Sequence, residues 1–135
     1  INFRQDRVIS DEFQITSLNF LLKLLNKKFF SRRYREKNLY LKTFIFREKK
    51  LHHRNSHYHI LVENDEIFKD TSKPSFEEHL FNLIHKIKDE KNQELLSSSS
   101  VSVKEVYSDE IINYCLKTMS DNDDSFIFIS SRDEL

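Results

Sequence analysis

Two histidines one residue apart, His57 and His59, are the residues whose type and spacing point most directly to chemistry. On a β-strand, side chains at i and i+2 leave the same face with Cα atoms about 6 to 7 Å apart, so both imidazoles can converge on one ion. Tyr58, Ile60 and Val62 then face the other way. A simpler explanation exists, a surface pair or a hydrogen-bonded sheet pair of histidines. The preceding apolar segment favours the metal reading. If it pairs with the histidine strand so that Glu48 lies opposite His57, Phe46 falls opposite His59, and the Glu48 carboxylate shares a face with the imidazoles. Two nitrogens and one carboxylate with open positions suit a divalent cation acting as a Lewis acid, Mn²⁺ or Mg²⁺ first and Zn²⁺ next. His52 and His53 fall in the intervening loop and read as loop residues or nucleic-acid contacts before they read as ligands.

A nucleophile is available further along. At 100° per residue, Ile111, Ile112, Cys115, Leu116 and Met119 cluster in one stripe of a helix, leaving Tyr114 and Lys117 on nearly the opposite side. Spaced i and i+3, those two are surface neighbours. A phenol with a reference pKa of about 10 is a weak nucleophile at neutral pH, and a nearby ammonium or metal favours its phenolate. The plain alternative is an exposed Tyr and Lys with no chemical task. Tyr34, Tyr40 and Tyr107 are rivals, but Tyr34 lies in a basic segment and Tyr107 at a strand end, without a helical platform and a lysine one turn on.

These side chains must be positioned by the surrounding elements. Ile1 to Arg4 reads as the end of a strand, and Leu18, Leu21, Leu25 and Phe29 predict an amphipathic helix over about Ser17 to Phe30. Leu39–Glu48 and His57–Glu63 read as strands joined by a polar loop, hence a hairpin. Ser75 and Glu78 form a capping box that starts a second helix running to about Lys91. The serine run Ser97–Ser100 is a loop before a strand at Val101–Tyr107. Ser108 starts the third helix, and Phe126–Ile129 makes a last strand. The order predicts an α+β fold, a central antiparallel sheet of about five strands with helices packed on its faces.

Composition bounds the rest. The 135 residues suffice for one domain, and with 33% charged residues and no apolar run of about 20 residues nothing is expected to span a membrane. No secretory leader is visible at the start, so a cytoplasmic protein is the expectation. The final Arg132-Asp133-Glu134-Leu135 then reads as a chance likeness to a retrieval tail. Opening at Ile1 suggests a processed form or a piece of a longer chain. The single cysteine, Cys115, excludes an internal disulfide, and the absence of glycine excludes Gly-rich phosphate loops. Phosphates would have to be held by side chains. Net charge is zero, yet Lys23 to Arg54 carries twelve Lys/Arg against two acids, while Val101 to Leu135 carries three against eight. Arg32, Arg33 and Arg35, interleaved with Phe29, Phe30 and Tyr34, are what a single-strand nucleic-acid groove requires, though a solvated helix end accounts for them equally.

Together these residues resemble the HUH endonucleases, and among them the single-tyrosine rolling-circle replication initiators. His57-Tyr58-His59 matches the histidine, hydrophobic residue, histidine motif, and Tyr114-Cys115-Leu116-Lys117 matches the later Tyr-x-x-Lys motif. Glu48 is similar to the family's third metal ligand, and Ile1 to Arg4 to a remnant of its first strand. The resemblance covers almost the whole chain, as one nicking domain over residues 1–135. It implies that Glu48, His57 and His59 hold a divalent ion that polarises a scissile phosphate in single-stranded DNA or a hairpin origin. It implies further that Tyr114 attacks to give a 5′-phosphotyrosine, with Lys117 orienting the phosphate. Arg32, Arg33, Arg35 and Lys50 are the expected DNA contacts. A transposase or relaxase shares this chemistry, and a non-catalytic DNA-binding domain or a non-haem iron site are the competing classes. No helicase motif is present, so unwinding would come from another domain or a partner.

Overall fold

The amino-terminal third is dominated by a helix whose apolar residues recur at the 3.6-residue period. In a computed structural model, which describes residues 1–30, 36–37, 39–49, 54–63 and 66–105 together with Glu110 and Asn113, helix α1 spans Asp11–Phe30. Leu18, Leu21, Leu22 and Leu25 form its buried stripe. It begins six residues before the expected Ser17. The Ser10 hydroxyl accepts from the Phe13 N–H at 3.1 Å, and Asp11 and Glu12 complement the positive end of the helix dipole. The early turns escape the periodicity because polar residues, Gln14 and Ser17, occupy their buried positions.

Strands β1 (Thr43–Glu48) and β2 (His57–Val62) pair antiparallel, with Glu48 opposite His57, Phe46 opposite His59 and Ile45 opposite Ile60. This is the register on which the three-ligand reading depends. The inner face carries Ile45 and Tyr58, buried in one core with the α1 leucines, and Phe3 packs edge-on against the Tyr58 ring. The opposite face carries Phe44, Glu48, His57 and His59.

The fold is α+β, but among the described residues the sheet has two strands, not five. Ile1 to Arg4 makes only an isolated bridge, Asn2 to His57. The segment divides its hydrogen bonds. Ile1 and Tyr58 exchange both backbone bonds, while the N–H groups of Asn2 and Arg4 turn away to the carbonyls of Ser100 and Leu95. Ser97–Ser100 closes a 3₁₀ turn with its own hydroxyls, which prevents residues 95–100 from running as a regular partner strand. Residues 101–105 are not strand. The expected strand Phe126–Ile129 and most of the third helix lie outside the described residues, although Glu110 and Asn113 are helical.

Helix α2 (Phe76–Leu83) starts as expected, with Ser75 Oγ accepting from Glu78 N–H at 3.2 Å. It ends earlier than Lys91, passing into a 3₁₀ turn at Ile84–Lys86. Asp89 explains the stop. Its Oδ1 accepts from Lys91 and Gln93 N–H, both at 2.8 Å, and Asn92 sits in the left-handed region at φ 62°, which Asn tolerates better than most residues. The resulting reversal returns Leu95 to hydrogen-bond Ile87, burying both. No helix among the described residues is long and apolar enough to cross a membrane.

Candidate metal centre

Glu48 ends β1 and His57 begins β2, so the pairing that closes the hairpin also brings a carboxylate beside the first imidazole. His59 follows on the same face. Its Nε2 lies 3.1 Å from Glu48 Oε2, and the rings of His57 and His59 meet edge to face with centroids 4.5 Å apart. One donor atom from each of the three residues falls within 4.8 Å of the others. Among the described residues, this is the one group of three His, Cys, Asp or Glu side chains able to hold a metal ion.

The donor chemistry fits a divalent cation. With bonds of about 2.0 to 2.2 Å, ligand atoms around an ion stand roughly 3 to 3.5 Å apart, so His59 Nε2 and Glu48 Oε2, which share a hydrogen bond at 3.1 Å, already stand at ligand spacing. The side chains of His59 and Glu48 are 23% and 18% exposed. That leaves them screened on most sides yet reachable, the condition for an ion that must also meet a substrate oxygen.

Tyr58, between the histidines in sequence, is directed inward, as alternation requires. Its hydroxyl donates to Gln14 Oε1 at 2.8 Å, and burial pushes its phenol pKa up to about 12. Tyr58 is thereby removed from any role as a phenolate at neutral pH. Gln14 Nε2 donates in turn to the Ile9 carbonyl, and Asn55 Oδ1 accepts from Ile9 N–H while its Nδ2 serves the carbonyls of Arg4 and Arg7. The Tyr58 end of β2 is thereby tied on its inner side into a hydrogen-bonded network.

Of the residues singled out in the sequence, the structure brings together Glu48, His57 and His59. Tyr114, Lys117, Arg32, Arg33, Arg35 and Lys50 lie outside the described residues, as do His52 and His53. Tyr40 is described and half-buried. One participant escaped the sequence reading. Asn2 Oδ1 stands 2.7 Å from His57 Nδ1. Its only sequence signal was the strand-like character of Ile1 to Arg4, which carries no register. No family model matches the chain, and no match was found among curated proteins or solved structures.

Proposed function

We propose that this chain is a metal-dependent endonuclease that nicks single-stranded DNA and transfers the strand through a tyrosine, as rolling-circle replication initiators do. The observation that supports it is the convergence of Glu48, His57 and His59 on one face of the hairpin. A divalent ion bound there, Mn²⁺ or Mg²⁺ before Zn²⁺, would supply Lewis-acid polarisation of the scissile phosphate. In this reading Glu48 and the two imidazoles fix where the phosphate must sit. Tyr114 attacks: its Oη forms a bond to phosphorus while the bond from phosphorus to the 3′ oxygen breaks. The phenol proton passes to solvent, and the departing 3′ oxygen takes one up. Lys117, one turn further on, favours the phenolate and balances phosphate charge. Because the tyrosyl ester preserves the phosphodiester's energy, a later hydroxyl can reverse the step and rejoin strands. Arg32, Arg33, Arg35 and Lys50 contribute backbone contacts that hold the strand.

Incubation with a single-stranded oligonucleotide carrying an inverted repeat, with and without Mn²⁺, tests the reading. The expected result is a covalent protein–DNA adduct that maps to Tyr114, disappears in Tyr114→Phe and needs both metal and His57. Metal-dependent cleavage without an adduct would transfer the site to a hydrolase. Binding that is indifferent to metal and to His57→Ala, with no cleavage, would leave a DNA-binding module.

A further inference from the structure

An imidazole can bind a metal through either nitrogen, and the partner of the other nitrogen decides which. His57 Nδ1 faces Asn2 Oδ1 at 2.7 Å. A carboxamide oxygen carries no proton and only accepts, so a hydrogen bond in this pairing requires the proton to reside on Nδ1. The lone pair is then left on Nε2.

The backbone explains why Asn2 reaches this position. Ile1 and Tyr58 exchange both of their hydrogen bonds, the Ile1 nitrogen donating at 2.8 Å and the Tyr58 N–H at 2.9 Å. Along an antiparallel ladder the next pair is the narrow, non-hydrogen-bonded kind, in which opposed side chains stand closest. That next pair is Asn2 and His57. Phe3, the following residue, is buried in the core and so fixes the opposite orientation for Asn2. On its far side, Asn2 N–H donates to the Ser100 carbonyl at 2.9 Å. The carboxamide is thus delivered to the imidazole by a segment held from both flanks.

We infer that Asn2 is a positioning residue, which holds His57 as the Nδ1–H tautomer and presents Nε2 to the ion. The inference rests on the metal-centre reading above. Asn2 itself touches neither ion nor substrate. Free imidazoles prefer the other tautomer, so the hydrogen bond selects the minority form and removes a reorganisation step from ion binding.

The test pairs side-chain nitrogen NMR on the metal-free protein with Mn²⁺ and Zn²⁺ titrations followed by calorimetry. In the wild type His57 is expected to carry its proton on Nδ1. Asn2→Leu, which keeps the size but cannot accept, is expected to return His57 to the Nε2–H form and to weaken ion binding about tenfold to a hundredfold. Asn2→Asp, which still accepts, is expected to restore both. A wild-type His57 protonated on Nε2 overturns the inference whether or not any variant folds. So does an Asn2→Leu protein that folds and binds within twofold of the wild type. A wild type that binds neither ion overturns the metal-centre reading and Asn2's role together, whereas binding by the wild type with indifference at position 2 overturns the latter alone.

Discussion

The two faces of β2 hold polar groups in opposite settings. Inward, the Tyr58 hydroxyl meets Gln14, Gln14 meets Ile9, and Asn55 ties Arg4, Arg7 and Ile9 to the start of the strand. Donors there meet acceptors at ordinary distances in a buried setting, the arrangement that holds a fold in one conformation. Outward, Glu48, His57 and His59 bring electron-pair donors toward a common point where they remain partly exposed. The His59–Glu48 hydrogen bond at 3.1 Å is partly exposed and so contributes little to folding beside the buried network inside. Alternate residues of a single strand therefore separate a buried hydrogen-bonded network from the group able to hold a metal ion, and the separation can be tested by substitution.

The largest effect is expected outside. His57→Ala combined with His59→Ala should lower Mn²⁺ affinity more than about a hundredfold in calorimetry, because both imidazole ligands are gone, while thermal unfolding shifts by only a few degrees. A large loss of stability would break the comparison. Next comes Asn55→Ala, which strands the buried Ile9 N–H and the part-buried carbonyls of Arg4 and Arg7. Urea unfolding should show a loss of about 2 to 4 kcal/mol.

Tyr58→Phe is expected to cost less, about 1 to 2 kcal/mol near neutral pH, through the unpaired Gln14 oxygen. Its pH signature sharpens the contrast. The folded phenol is raised from 10.0 to about 12, so its contribution is complete below about pH 10 and fades as pH rises through 12. The stability gap between wild type and Tyr58→Phe should shrink across that window. The smallest effect should come from Asp89. The Gln93 N–H, opposed by burial and aided by the Arg7 ion pair, holds its carboxyl below the ordinary 3.8. That contribution is full above pH 3.8 and lost as pH falls through the lowered value, so Asp89→Asn should flatten the acid limb of a thermal-stability profile.

What the sequence made legible follows from how local each signal was. The side of the hairpin that carries Glu48 with the histidines could be anticipated from period-two alternation, whereas the register with Glu48 opposite His57 entered only as a condition that the observed pairing meets. The α2 start was equally visible, since Ser75 and Glu78 act within one turn. Its end was not. Ile84 and Ile87 keep helical spacing, but the Asp89 side chain captures two backbone N–H groups and bends the chain, a choice that periodicity does not register. Buried Gln14 hid the start of α1 for a related reason, its polar atoms being satisfied by residues far away in sequence. Asn2 shows the same limit at the metal centre, for its relation to His57 depends on three-dimensional closure.

That closure also orders assembly in time. The contact between Glu48 and His59 spans 11 residues, whereas the one between Asn2 and His57 spans 55. By the logarithmic dependence of chain closure on length, the longer loop costs about 1.4 kcal/mol more to form. The expected sequence is ligand trio first and its tether later, which pulse-labelled hydrogen exchange would check by the protection of the His59 amide, which faces β1, before that of Tyr58, which faces Ile1. A nascent hairpin would then acquire its ion-binding donors before it acquires the rigidity to use them well.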